Sequence, residues 1–94
     1  MERSQPIERR TEIRQPVTGV VKICQRGGAL GSFLGQLVDV SATGFRIRHR
    51  RLNLASGQIV DFQWDETQGQ ARTIWTRILG AEAESGFHIV AQED

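Results

Sequence analysis

At 94 residues, with 38% of them hydrophobic, the chain is long enough for one domain with one modest core and no more. No stretch approaches the roughly 18 consecutive apolar residues of a membrane span, and no apolar leader stands near the N-terminus, so a cytoplasmic domain without membrane insertion is expected. A net charge of +1 conceals a division: residues 1–51 carry ten basic and four acidic side chains, residues 52–94 two basic and seven acidic.

Residues 1–15 are polar and punctuated by Pro6 and Pro16, and they read as a flexible N-terminal arm preceding a barrel domain over 16–94. From Pro16 onward the pattern changes to short β-rich segments at 17–24, 33–40, 44–49, 58–64, 70–79 and 86–91. Gly-rich or polar connections separate them: Gln25-Arg26-Gly27-Gly28, Ser41-Ala42-Thr43-Gly44, Ser56-Gly57, the stretch from Asp65 to Gly69 and the stretch from Glu82 to Gly86. Regular short strands without a helical period predict an all-β fold, an antiparallel barrel or sandwich, and closure removes the exposed edges of so small a sheet.

Alternation along 44–50 places Phe45, Ile47 and His49 on one face and Arg46, Arg48 and Arg50 on the other. The first face is expected in the core, with His49 ambiguous, and the arginine face in solvent. Trp64 and Trp75 lie within apolar strand patterns and are expected to be core or partly buried, and His88 is expected at the surface. The lone Cys24, in the run from Val20 to Cys24, reads as a small buried hydrophobe. One cysteine and two histidines give no disulfide and no metal-ligand spacing.

Two stretches carry chemistry. Arg10 and Arg14 form an RxxxR pair, with Arg9 immediately before it; taken alone, this is a solvated basic arm. Asp39-Val40-Ser41-Ala42-Thr43-Gly44 is a DxSxxG sequence at a strand end, where a carboxylate and a hydroxyl share one side of an extended chain. Taken alone, it is a turn in which Asp and Ser cap backbone groups.

In this order and on this β background, the two stretches resemble the signature of the PilZ family. The resemblance extends over nearly the whole chain, through a Trp-bearing strand (Ala71 to Trp75) and a Gly-Phe strand (Gly86 to Val90). It implies a six-stranded antiparallel β-barrel that holds cyclic di-GMP between the arm and the barrel surface, with Arg10, Arg14, Asp39, Ser41 and Gly44 as contacts and Arg9 as an additional one. The chemistry fits: guanine offers O6 and N7 acceptors to arginine, and its N1 and N2 donors suit a carboxylate. A third cation in the arm suits a stacked pair of ligands, so two cyclic di-GMP per protomer are expected.

The chain ends at Asp94, directly after the last strand, so output is expected through a surface that changes on binding and regulates an unidentified downstream protein. Two alternatives remain: a PilZ-like adaptor that binds no nucleotide, and a small barrel that binds RNA or single-stranded DNA. The second draws on the basic front half but lacks a readable aromatic platform. No motif places a general base, so no enzyme is expected.

Overall fold

In the computed structural model, residues 15–25 and 31–93 are described. They form seven strands and no helix: β1 (Gln15–Pro16), β2 (Val20–Gln25), β3 (Ser32–Val40), β4 (Gly44–His49), β5 (Ile59–Trp64), β6 (Thr67–Leu79) and β7 (Glu82–Glu93). All pairings are antiparallel, and the sheet order β1-β3-β2-β5-β6-β7-β4 closes on itself because β3 also pairs with β4. Six strands therefore make the expected barrel, with the two-residue β1 appended to β3.

The side-chain period of two determines what is inside. Along β2, Val21, Ile23 and Gln25 turn inward while Val20, Lys22 and Cys24 turn out. The same period brings Leu37, Phe45, Ile47, Val60, Phe62, Ala71 and Phe87 into one cluster, capped by Leu54 from the segment joining β4 to β5. Phe45 anchors it, stacked on Phe87 at 5.0 Å and tilted against Phe62 at 5.1 Å. Burying each such ring contributes about 2–3 kcal/mol, which a domain with so short a core needs.

Cys24 corrects the reading of its run: it is exposed, not buried. Apolar residues on both sides of the alternation obscured the phase. Lys22 fixes it, because an ammonium turned to solvent carries Cys24 to the same face.

Strand limits differ in three places. The strand expected from residue 17 is β2 and begins at Val20, the intervening chain leaving β1 through Gly19. The connection expected over 65–69 shrinks to Asp65 and Glu66, since Trp64 already pairs with Thr67; Asp65 takes the left-handed conformation (φ 53°) that Asp tolerates. The turn expected over 82–86 is strand, and the reversal occurs at Gly80 (φ 68°) and Ala81, between paired Leu79 and Glu82. Most of the expected turn after Gln25 lies outside the described residues.

His49 resolves as a core residue. Its Nδ1 accepts from the Arg51 backbone N–H at 2.9 Å, leaving Nε2 to donate to Ser85 Oγ at 2.7 Å, and that hydroxyl meets Thr76 Oγ1 at 2.7 Å. Burial, and then the nearby Arg51 charge, hold its pKa below the usual value. His49 and Ser85 are both buried, so this serine–histidine contact is a structural tie between β4 and β7 rather than a nucleophile open to substrate.

Candidate functional site

The DxSxxG stretch forms the reversal between β3 and β4. The Ser41 backbone N–H donates to the Gly44 carbonyl at 2.9 Å, its hydroxyl donates to the same carbonyl at 3.4 Å, and the Thr43 N–H donates back to Ser41 Oγ at 3.4 Å. The turn-capping role read from the sequence is thus present. Ser41 remains half-buried beside a mouth of the barrel, where Val40, Phe45, Trp64 and Ile89 line a crevice of about 230 Å³.

Gly44 is needed for approach. A Cβ there would stand 2.2 Å from the Phe87 carbonyl oxygen, because Gly44 pairs directly with His88 on β7. The glycine lets the reversal lie flat on β7, and the Ile89 N–H closes the contact by donating to the Thr43 carbonyl at 2.8 Å.

Asp39 is buried at the end of β3, next to a register shift between Leu37 and Asp39 that re-aims the strand. It lies across from Arg46 on β4, whose Nε donates to both carboxylate oxygens at 3.0 Å while Nη2 completes a fork on Oδ2. The hydrogen bond that Arg46 donates to Asp39, above all, raises the Arg46 pKa further and keeps the guanidinium charged. Here the arginine face departs from expectation. Arg48 and Arg50 stand in solvent as expected, but Arg46 is half-buried and paired, because the carboxylate that the β3 shift delivers is its direct cross-strand neighbour.

Beyond Arg46 opens a cleft of about 380 Å³, lined by Thr43, Gly44, Arg46, Ile74, Trp75 and His88 among others. Trp75 is its flat wall. A second register shift in β6, between Thr73 and Trp75, brings the indole over Gly86, where a Cβ would fall 2.5 Å from Trp75 Nε1. Trp75 and Trp64 are both half-buried, as expected, and His88 is exposed. A guanidinium, an aromatic wall and an imidazole around one cleft, with a buried carboxylate behind, suit a planar ligand that carries both hydrogen-bond donors and negative charge.

Sequence reasoning missed Arg46, Trp75 and His88 as members of this cleft. The signal for Trp75 was Gly86, the small residue against which the indole packs; for Arg46 nothing local gave it away, since the pairing depends on the β3 shift. Arg9, Arg10 and Arg14 lie outside the described residues. The described chain begins beside the site, with Gln15 paired to Val40 and Pro16 to Asp39. No group of three or more metal-ligating side chains occurs among the described residues.

A family model described as PilZ domain matches residues 8–93, a span that includes both the arginine pair and the DxSxxG reversal. No curated protein matches the chain.

Proposed function

The chain belongs to the PilZ domain family, and we propose that it is a receptor for cyclic di-GMP that regulates a partner protein through the surface it presents when the ligand is bound. The family is one of cyclic di-GMP receptors and adaptors rather than enzymes. One observation carries the reading to this chain. The DxSxxG carboxylate, the cleft beside Trp75 and the point where the arginine-bearing segment joins the barrel adjoin one another, since Pro16 pairs with Asp39 and Asp39 with Arg46.

In this reading Arg10 and Arg14 grip or stack on guanine, whose O6 and N7 accept bidentate arginine. A carboxylate offers about four lone-pair sites, so Asp39 has capacity to accept from guanine N1 and N2 while it keeps one edge on Arg46. Ser41 supplies a hydroxyl to phosphate or base, and Gly44 keeps the reversal bare of side chain where the ligand lies. Arg9 adds a third cation, which favours two stacked ligands per protomer over one. No cofactor takes part, and the receptor works in the cytoplasm; no helix of the described residues is long and apolar enough to cross a membrane.

The pairing of Asp39 with Arg46 supports one second reading: an adaptor whose carboxylate is permanently engaged and which acts without nucleotide. Calorimetric titration separates the two. Under the receptor reading, cyclic di-GMP gives saturable heat that GTP and cyclic di-AMP do not, with a stoichiometry near two. Arg10→Ala or Arg14→Ala weakens it by about ten- to a hundred-fold, from lost charge-assisted contacts of roughly 1.5–3 kcal/mol. A stoichiometry near one sinks the paired-ligand proposal alone; no heat from folded protein sinks the receptor reading.

A further inference from the structure

β3 and β4 pair from Gln36 with Arg48 to Val40 with Phe45. β3, however, begins at Ser32, whereas β4 stops at His49 and the chain bends away at Arg50. Between the run from Ser32 to Gly35, which pairs with β2 but has no partner on β4 among the described residues, and the departing chain opens a groove of about 680 Å³.

Its walls have two characters. Val20 and Leu34 point outward from neighbouring strands, 59% and 65% exposed, and are diagonal neighbours because Val20 pairs with Gln36 and Leu34 with Lys22. Around them stand Arg48, Arg50 and Arg51. Arg51 is held in place, its guanidinium 4.8 Å from the Phe33 ring and donating to Gln25 Oε1. Arg50 reaches Glu82 only at 3.7 Å with its side chain 80% exposed, and so remains available.

Two aliphatic side chains more than half exposed, and framed by guanidinium groups, match a segment with carboxylates around aliphatic side chains. A nucleic acid fits less well: Phe33 has Arg51 over its ring, and the Glu82 carboxylate lines the same groove and repels phosphate. The β4-side edge of that run, unpaired among the described residues, favours an extended occupant that adds as a strand.

We propose that this groove docks an extended acidic segment of a partner protein, with aliphatic side chains on Val20 and Leu34 and carboxylates on Arg48 and Arg50. The inference goes beyond the nucleotide reading and does not depend on it, because the groove shares no lining residue with the cleft at Trp75. The two are nevertheless near neighbours: Arg48 lies two residues along β4 from Arg46 on the same face, about 7 Å away.

The test uses the full chain without nucleotide and a labelled peptide of about nine residues, all glutamate except for two leucines two positions apart, read by fluorescence anisotropy. Saturable binding is expected, at least about tenfold weaker in R48Q/R50Q and about tenfold weaker in L34S, with thermal melts little changed because all three side chains are exposed and no like charge is set against Glu82 or Glu84. Equal binding of a peptide with serine for leucine overturns the proposal, and so does an oligonucleotide that binds and is lost in the same variants; either would mark a plain polyanion surface. Absence of peptide binding, or binding that the variants leave unchanged, also overturns it. A cyclic di-GMP titration on the same protein reports separately on the nucleotide reading.

Discussion

Substituting Gly44 by alanine separates two reasons for a glycine at the end of a DxSxxG sequence. The new Cβ would lie 2.2 Å from the Phe87 carbonyl oxygen and 3.3 Å from its carbon, both backbone atoms of the strand paired with Gly44. An ordinary carbon–oxygen contact is about 3.3 Å, so β4 and β7 must part by about 1 Å there. Overpacking of that kind costs about 1–3 kcal/mol. Stretching the pairing with His88 and the 2.8 Å bond from the Ile89 N–H to Thr43 adds about 1 kcal/mol. The sum of about 2–4 kcal/mol, at about 4–8 °C for each kcal/mol in a domain this small, predicts a melting temperature lower by about 10–30 °C without any ligand. Ser41→Ala, which loses two long contacts at 3.4 Å among the described residues, should shift the melt by less than Gly44→Ala does. Thermal denaturation followed by circular dichroism reads both. A Gly44→Ala protein that melts within a few degrees of wild type yet fails to bind cyclic di-GMP would refute the reasoning and assign the glycine to ligand approach alone.

Asp39→Asn should abolish guanine-selective binding in calorimetry and also cost about 1–3 kcal/mol of stability, because the carboxylate that accepts from Arg46 is buried. The buried His49 makes stability depend on pH: its folded pKa lies below its unfolded value of about 6.5, so its contribution is present above that pH and is lost as pH falls through it. Melts between pH 7.5 and 5.5 should therefore show a decline that flattens in His49→Gln. Thr73→Val should hold or raise the melting temperature, by up to about 1 kcal/mol of stability, since the buried Thr73 hydroxyl has no hydrogen-bond partner among the described residues.

The barrel was legible because binary alternation works where one face is wet: Phe45, Ile47 and His49 inside, Arg48 and Arg50 outside. It failed where both faces offered apolar residues, as at Cys24, or where a run of turn-like residues hid a strand, as from Glu82 to Gly86. In the latter, Ala83 and Ser85 go inward and Glu84 is covered by Arg77 at 2.5 Å, so polar residues persist in a paired strand through an ion pair and the Ser85–His49 bond. The candidate site was legible as motif and not as geometry. Asp39 and Ser41 became candidates only through the resemblance of the DxSxxG stretch to the family signature, while the Arg46 partnership and the Trp75 wall each depend on a register shift that sequence periodicity does not encode.

The most direct test of the account is calorimetric titration of the protein with cyclic di-GMP, with Arg10→Ala and Asp39→Ala measured alongside and GTP and cyclic di-AMP as controls. The account predicts saturable, guanine-selective heat in the wild type, an affinity about ten- to a hundred-fold weaker in Arg10→Ala and loss of selective heat in Asp39→Ala, while each variant still melts cooperatively. Wild-type protein that melts cooperatively and gives no heat with cyclic di-GMP would contradict it.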